Sequence, residues 1–235
     1  MPLGVFRVSL FNDVHWPVIS LVTDISRFDS GKRSSDRLVK LLSEACVAGI
    51  DIIQIRENGL ADRELVSLVA RVVAISQKTE TKVIVNDRVD IAIIAGAMGV
   101  HLKGDSHSAA RVRRVAPADW LIGRSVHGLE EANLIVDEGA VDYVTFGPVF
   151  ETDSKPGLTP NGLAMLKRVV SSVEKPVLAI GGITVENAGD VASSGVAGIS
   201  AISLFTGIGE KEESDALKTL VGRIRTSFDR GRVAV

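Results

Sequence analysis

Residues able to do chemistry recur at one kind of place along this chain, at or just beyond the end of a short run rich in valine and isoleucine. Gln54 and Arg56 follow one such run, Asn86 another, Ser125 and His127 a third, and Thr152, Ser154 and Lys155 a fourth. Thr23, Asp24, Glu57, Asp87, His101 and Lys103 fall at equivalent places. Later come Gly181-Gly182 and Ile202-Ser203, each leading toward a helical stretch. Glycine lets backbone N–H groups approach an anion closely, and helix N-termini add partial positive charge, so these two loops are expected to bind a phosphate. Arg56 and Lys155 bring positive charge to such a ligand, and Gln54, Asn86, Ser125, Thr152 and Ser154 bring hydrogen bonds. An imidazole titrates near neutral pH and can both take and return a proton, which makes His127 the candidate acid–base group.

Other polar residues read as structural. Asp24 and Asp87 suit helix caps or local hydrogen bonds, His101 a hydrogen-bonding core position, and His107 a solvent-facing one. Cys46 shares an apolar helical stripe with Leu38, Leu41, Leu42 and Ala45, so it reads as a small buried hydrophobe rather than a nucleophile. The four histidines form no His-x-x-His or HExxH pattern, and a zinc site is not expected.

The elements that must position these residues follow from periodicity. Eight apolar runs, at residues 19–24, 51–56, 82–87, 99–102, 121–126, 142–149, 176–182 and 198–203, alternate with stretches of helical period such as Leu65, Leu68, Val69 and Val72. Eight strand–helix units without a dividing linker predict a single-domain α/β fold, a closed (β/α)8 TIM barrel, over residues 19–230. Residues 1–18 are expected to form an N-terminal arm in which His15-Trp16 makes a packing contact. No GxGxxG string follows an early strand, which argues against an open dinucleotide-binding sheet. Barrel enzymes place their chemistry at the carboxyl ends of the strands, where the polar residues above fall.

Composition narrows the partners. Lys plus Arg number 27 against 29 Asp plus Glu, a net charge of −2 with no block of one sign, so no nucleic-acid partner is expected. Apolar residues make up 46% and charged residues 24%, enough for a large core. The start of the chain lacks the features of a secretory signal, and no apolar run reaches the roughly 18 residues of a membrane span. A cytoplasmic protein with no membrane partner is therefore expected, its amphipathic helices forming the outer ring of the barrel.

Several strings taken together resemble the thiamine phosphate synthase/TenI superfamily: SLVTD, QIRE, NDRVDIAI, GVHL, IGRSVHGLEEA, DYVTFGPVFETDSKPG, PVLAIGGITVEN and GISAIS. The resemblance implies a (β/α)8 barrel, a phosphorylated thiazole as the small-molecule partner, and a homodimer. Two branches are open. Synthases couple hydroxymethylpyrimidine diphosphate to thiazole phosphate with Mg2+, whereas TenI-type tautomerases aromatise a carboxythiazole phosphate by moving protons, with no metal or other cofactor.

Asp87 matches the first synthase metal carboxylate, but Ser106 stands where the second falls, with Asp105 one residue earlier. The synthase string Gln-x-Arg-x-Lys reads here as Gln54-Ile55-Arg56-Glu57, which is expected to place an anion beside an anionic ligand; each unit charge at about 4 Å is worth roughly 4 kcal/mol at an effective dielectric near 20. His127 falls where TenI-type enzymes carry their acid–base histidine. On these grounds the expected activity is a metal-independent thiazole tautomerase, an isomerase with His127 as the proton carrier. The alternatives are a thiamine phosphate synthase, a transferase with Mg2+ on Asp87, and a non-catalytic regulator that binds a thiamine-related phosphate.

Overall fold

The computed structural model describes residues 17–28, 33–137, 139–154, 157–206 and 213–233. Most of the expected arm, with His15 and Trp16, lies outside them, as does Lys155. Eight parallel strands close into a barrel in sequence order: β1 (Val18–Val22), β2 (Ile52–Ile55), β3 (Lys82–Asn86), β4 (Gly99–Leu102), β5 (Leu121–Val126), β6 (Tyr143–Phe146), β7 (Val177–Ile180) and β8 (Gly198–Ala201). Strand β1 starts one residue before the expected boundary, because Val18 pairs with Gly198 on β8 and so belongs to the ladder that closes the ring.

Helices α1 (Arg33–Ala48), α2 (Asp62–Ser76), α3 (Val89–Ile94), α4 (Ala109–Arg113), α5 (Leu129–Asp137), α6 (Gly162–Ser172), α7 (Ala188–Ser193) and α8 (Ser203–Thr206) follow the strands in turn. A last helix, α9 (Glu213–Val233), packs against α1 and α7 and completes the outer ring. Its end also lies beyond the expected limit of the barrel at residue 230. The helical periods hold: Leu38, Leu41, Leu42, Ala45 and Cys46 are buried on α1, and Leu65, Leu68, Val69 and Val72 on α2. None of the helices is long and apolar enough to cross a membrane, among the described residues.

Strand pleating sorts the side chains. Successive residues point to opposite faces, so positions two apart share a face. Within the barrel a small apolar plug of Val18, Ile52, Ile84, Leu121, Tyr143 and Leu178 fills the lower interior, separate from the larger core between barrel and helices. Two residues further along three of these inward rows the chemistry changes: Ile52 is followed by Gln54, Ile84 by Asn86, and Tyr143 by Thr145. Apolar filling below and polar groups above thus belong to the same inward rows.

Candidate active site

A cavity of about 530 Å3 opens at the carboxyl end of the barrel. Gln54, Arg56, Asn86, Ser125, His127, Thr152 and Ser154 line it, as do Gly181, Gly182, Ile202 and Ser203. Every candidate that falls within the described residues, apart from Asp87 of the synthase alternative, is therefore brought to one place. His101 and Lys103 line it as well, and so do Asp105, Thr145 and Glu131. Glu131 had not been singled out; the signal available was its position four residues beyond His127, one helical turn away. Four rim residues are absent from the lining, Thr23, Asp24, Glu57 and Asp87. Glu57 and Asp87 are each an odd number of residues from the inward-facing Gln54 or Asn86, whereas Arg56, Lys103 and His127 each follow an inward residue by two.

The β2 side of the mouth is rigid. Gln54 donates to the Asn86 carboxamide oxygen across the β2–β3 ladder at 3.0 Å, with both residues buried. The Arg56 backbone N–H donates to Thr23 Oγ1 at 2.9 Å, anchoring the start of the loop to β1. Glu57 corrects the sequence-based expectation. Its side chain is 6% exposed and accepts the Ile25 N–H at 2.9 Å, so it is held beneath the mouth and does not face a ligand. Burial pushes its carboxyl above the ordinary carboxylate range, against the hydrogen bonds it accepts. Ile25 belongs to a short 3-10 turn that Asp24 caps by accepting the Ser26 N–H, as expected.

A polar chain crosses the interior between β4, β5 and β6. His101 Nδ1 lies 3.0 Å from the Tyr143 hydroxyl and Nε2 lies 2.9 Å from Ser125 Oγ. The tyrosine ring reaches this far because it lies over Gly123, where a Cβ would come within 2.1 Å of it. Burial lowers the His101 pKa to about 4, outweighing the nearby Asp87 charge, so the ring is neutral at physiological pH. The expectation of a hydrogen-bonded core histidine holds, with the addition that His101 also forms part of the cavity wall.

His127 sits at the exposed edge of the mouth. Its Nδ1 lies 2.7 Å from the Gly147 carbonyl, which can only accept, so Nδ1 carries hydrogen and Nε2 is the ring's basic nitrogen. The carboxylate of Glu131 accepts the His127 backbone N–H at 2.7 Å, which ties the start of the loop to α5.

Asp87 lies between β3 and β4 with a left-handed backbone, φ +61°. Lys103 Nζ is 2.8 Å from its Oδ2, and the Ser106 hydroxyl donates to its Oδ1. Desolvation pushes the Asp87 carboxyl up, but these bonds and the Lys103 charge outweigh it and hold the group below the usual range. Arg124 fastens the loop above, donating to the carbonyls of Gly104 at 2.8 Å, Ser106 at 3.1 Å and His107 at 2.7 Å.

Mg2+ asks for oxygen ligands and commonly takes one or two carboxylates together with substrate phosphates. Here Asp87, the carboxylate at the expected site, has both oxygens engaged, one of them by a cation. Among the described residues no group of three or more His, Cys, Asp and Glu side chains could hold a metal ion. The residues present do not fit Mg2+ on Asp87.

The last two loops approach the cavity closely. Gly181 and Gly182 both have positive φ, and a Cβ on Gly182 would meet the Glu151 carbonyl oxygen at 2.2 Å. The glycines are thus required by the crossing of the loop after β6 as well as by any anion. Asn187 donates to the Gly182 carbonyl at 2.9 Å, which holds the turn from behind.

The fold and the cavity define a (β/α)8 barrel whose polar groups converge at the carboxyl ends of its strands. The chain belongs to the family described as thiamine monophosphate synthase, whose model matches residues 21–205. It is 40% identical over 189 residues to the thiamine-phosphate synthase of Methanoculleus marisnigri, covering 80% of this chain and 88% of that one. It is 38% identical over 189 residues to a putative thiamine-phosphate synthase 2 of Aquifex aeolicus, covering 80% and 97%. Among solved structures, thiamine phosphate pyrophosphorylase from Pyrococcus furiosus superposes with a TM-score of 0.75 at 30% identity, over 90% of this chain and 96% of that one.

Proposed function

We propose that this protein acts in thiamine biosynthesis as a thiamine-phosphate synthase, joining hydroxymethylpyrimidine diphosphate to thiazole phosphate. This replaces the tautomerase as the leading reading. The relatives reported above carry synthase names, and Glu57, which had counted against a diphosphate, is turned out of the cavity.

The observation that supports the reading is that Lys103 and Arg56 line the same cavity as Gly181, Gly182, Ile202 and Ser203. In a ring of eight strands the loops after β7 and β8 stand across the mouth from those after β3 and β4. Backbone N–H groups around Gly182, Ile202 and Ser203 take the thiazole phosphate on one side. Lys103 on the other side, with Arg56 from β2, faces the diphosphate. In the reaction the bond from the pyrimidine methylene carbon to the diphosphate oxygen breaks and its electron pair leaves with the diphosphate. The thiazole nitrogen lone pair then forms the new carbon–nitrogen bond. Preorganised cations stabilise the charge that develops on the leaving group. Gln54, Asn86, Ser125 and Thr152 orient the two rings.

One observation favours a second reading, the metal-independent thiazole tautomerase. His127 lines the cavity with its tautomer set by Gly147, as a group that takes a proton on Nε2 and returns it requires. Two assays separate the readings. Thiamine phosphate formed from the two coupling substrates supports the synthase, and aromatisation of the carboxythiazole phosphate tautomer without coupling supports the tautomerase. Tight binding of thiazole phosphate with turnover in neither assay would overturn both and leave a regulator.

A further inference from the structure

Three features around Asp87 bear on how this cavity meets a strongly anionic ligand. The first is that the carboxylate is already matched by a cation of the chain itself, with Lys103 Nζ on Oδ2 at 2.8 Å. Lys103 follows the inward-facing His101 by two residues; it lines the cavity and is half-exposed, whereas Asp87 does not line it. The ammonium therefore stands between the carboxylate and the ligand space.

The second is that the Ser106 hydroxyl is already engaged both as donor and as acceptor. Its hydroxyl hydrogen goes to Asp87 Oδ1 and its oxygen accepts the Lys103 backbone N–H at 2.9 Å. A hydroxyl used in both directions makes a poor substitute for a carboxylate ligand.

The third is that Asp105 cannot move into the place of Ser106 without breaking a clamp. Arg124 is buried on β5 and holds the carbonyls of Gly104 and Ser106, the residues on either side of Asp105. Shifting the loop by one residue would detach both, leaving a buried guanidinium without these partners.

We propose that the ammonium of Lys103, held by Asp87 and Ser106, takes the place of a divalent cation at this rim, so that the chain binds a diphosphate group directly and without a metal on Asp87. This rests on the reading of the cavity as a diphosphate site. An ammonium is a compact point charge with three donors, suited to phosphate oxygens that present no single plane. A metal on Asp87 would have to displace that cation or sit beside it.

The test uses two probes on the whole protein, Mn2+ followed by water proton relaxation, and inorganic pyrophosphate followed by calorimetry in excess EDTA. The wild type is expected to show the same Mn2+ titration as Asp87→Asn, and to bind pyrophosphate in EDTA with an affinity that falls at least tenfold in Lys103→Gln. The double variant Lys103→Gln/Ser106→Asp is expected to gain a Mn2+ site. Mn2+ binding by the wild type that disappears in Asp87→Asn overturns the proposal. So does pyrophosphate binding that requires Mg2+, or that Lys103→Gln leaves unchanged. Failure of the coupling assay with these binding results intact removes the synthase reading instead, since neither probe depends on turnover.

Discussion

The imidazole of His101 and the hydroxyl of Tyr143 face each other at 3.0 Å inside the barrel, at the boundary between its apolar plug and its polar mouth. This pair makes the buried ring one of the groups on which acid stability depends. Folding keeps His101 neutral down to about pH 4, while in the unfolded chain it protonates near 6.5. Its contribution is therefore complete above about pH 6.5 and is lost as the pH falls toward 4, because the unfolded state binds the extra proton first. At 1.36 kcal/mol per pKa unit the loss approaches about 3 kcal/mol. Denaturation midpoints between pH 4 and 7 should fall more steeply for the wild type than for His101→Asn, which cannot take up the proton.

Glu57→Lys is expected to weaken the protein without tightening pyrophosphate binding. The side chain accepts the Ile25 N–H below the mouth, so a lysine there loses that bond and buries an ammonium. A loss of about 2–4 kcal/mol follows from an unpaired buried charge. Chemical denaturation with calorimetry checks both parts, and a lower Kd for pyrophosphate in the variant would contradict the placement of Glu57.

Arg124→Met should loosen the loop from Lys103 to His107 while leaving the barrel closed. Three carbonyls lose a charged donor, at about 1.5–3 kcal/mol for a hydrogen bond of that kind before water replaces it. We expect a net stability loss of about 2 kcal/mol and a pyrophosphate affinity several-fold weaker. Arg124→Lys should recover little of either, since a single ammonium cannot span the three acceptors.

His127→Asn separates the two proposed reactions. Proton transfer to and from carbon by a positioned side chain is worth about 10²–10⁴-fold, so a tautomerase activity should fall by that factor. Coupling moves no proton to or from carbon in the bond exchange described above, and its rate should change far less. Measuring both rates in the same preparation gives the answer directly, and an equal drop in the two would assign His127 a role in binding.

Much of the mouth was legible before any tertiary contact was known. The eight valine- and isoleucine-rich runs carry the local periodicity of buried parallel strands, and the residues ending them had to cluster once the strands closed into a ring. Strand pleating carries this one step beyond the strand ends. With Gln54 facing inward, Arg56 two residues on shares its face and Glu57 does not, so the outward turn of Glu57 was available from parity alone.

The chain's order of residues by itself determined the barrel, the end of it that carries polar groups, and the glycine pair after β7, because each depends on a repeating pattern or on a backbone that glycine readily tolerates. Tertiary structure decided which charges meet. Asp87, Lys103 and Ser106 come from two loops, and Arg124 holds one of them from a third element. Beyond the last hydrogen-bonded residue of a strand there is no period to read, and a side chain's direction is set by whichever distant partner satisfies it.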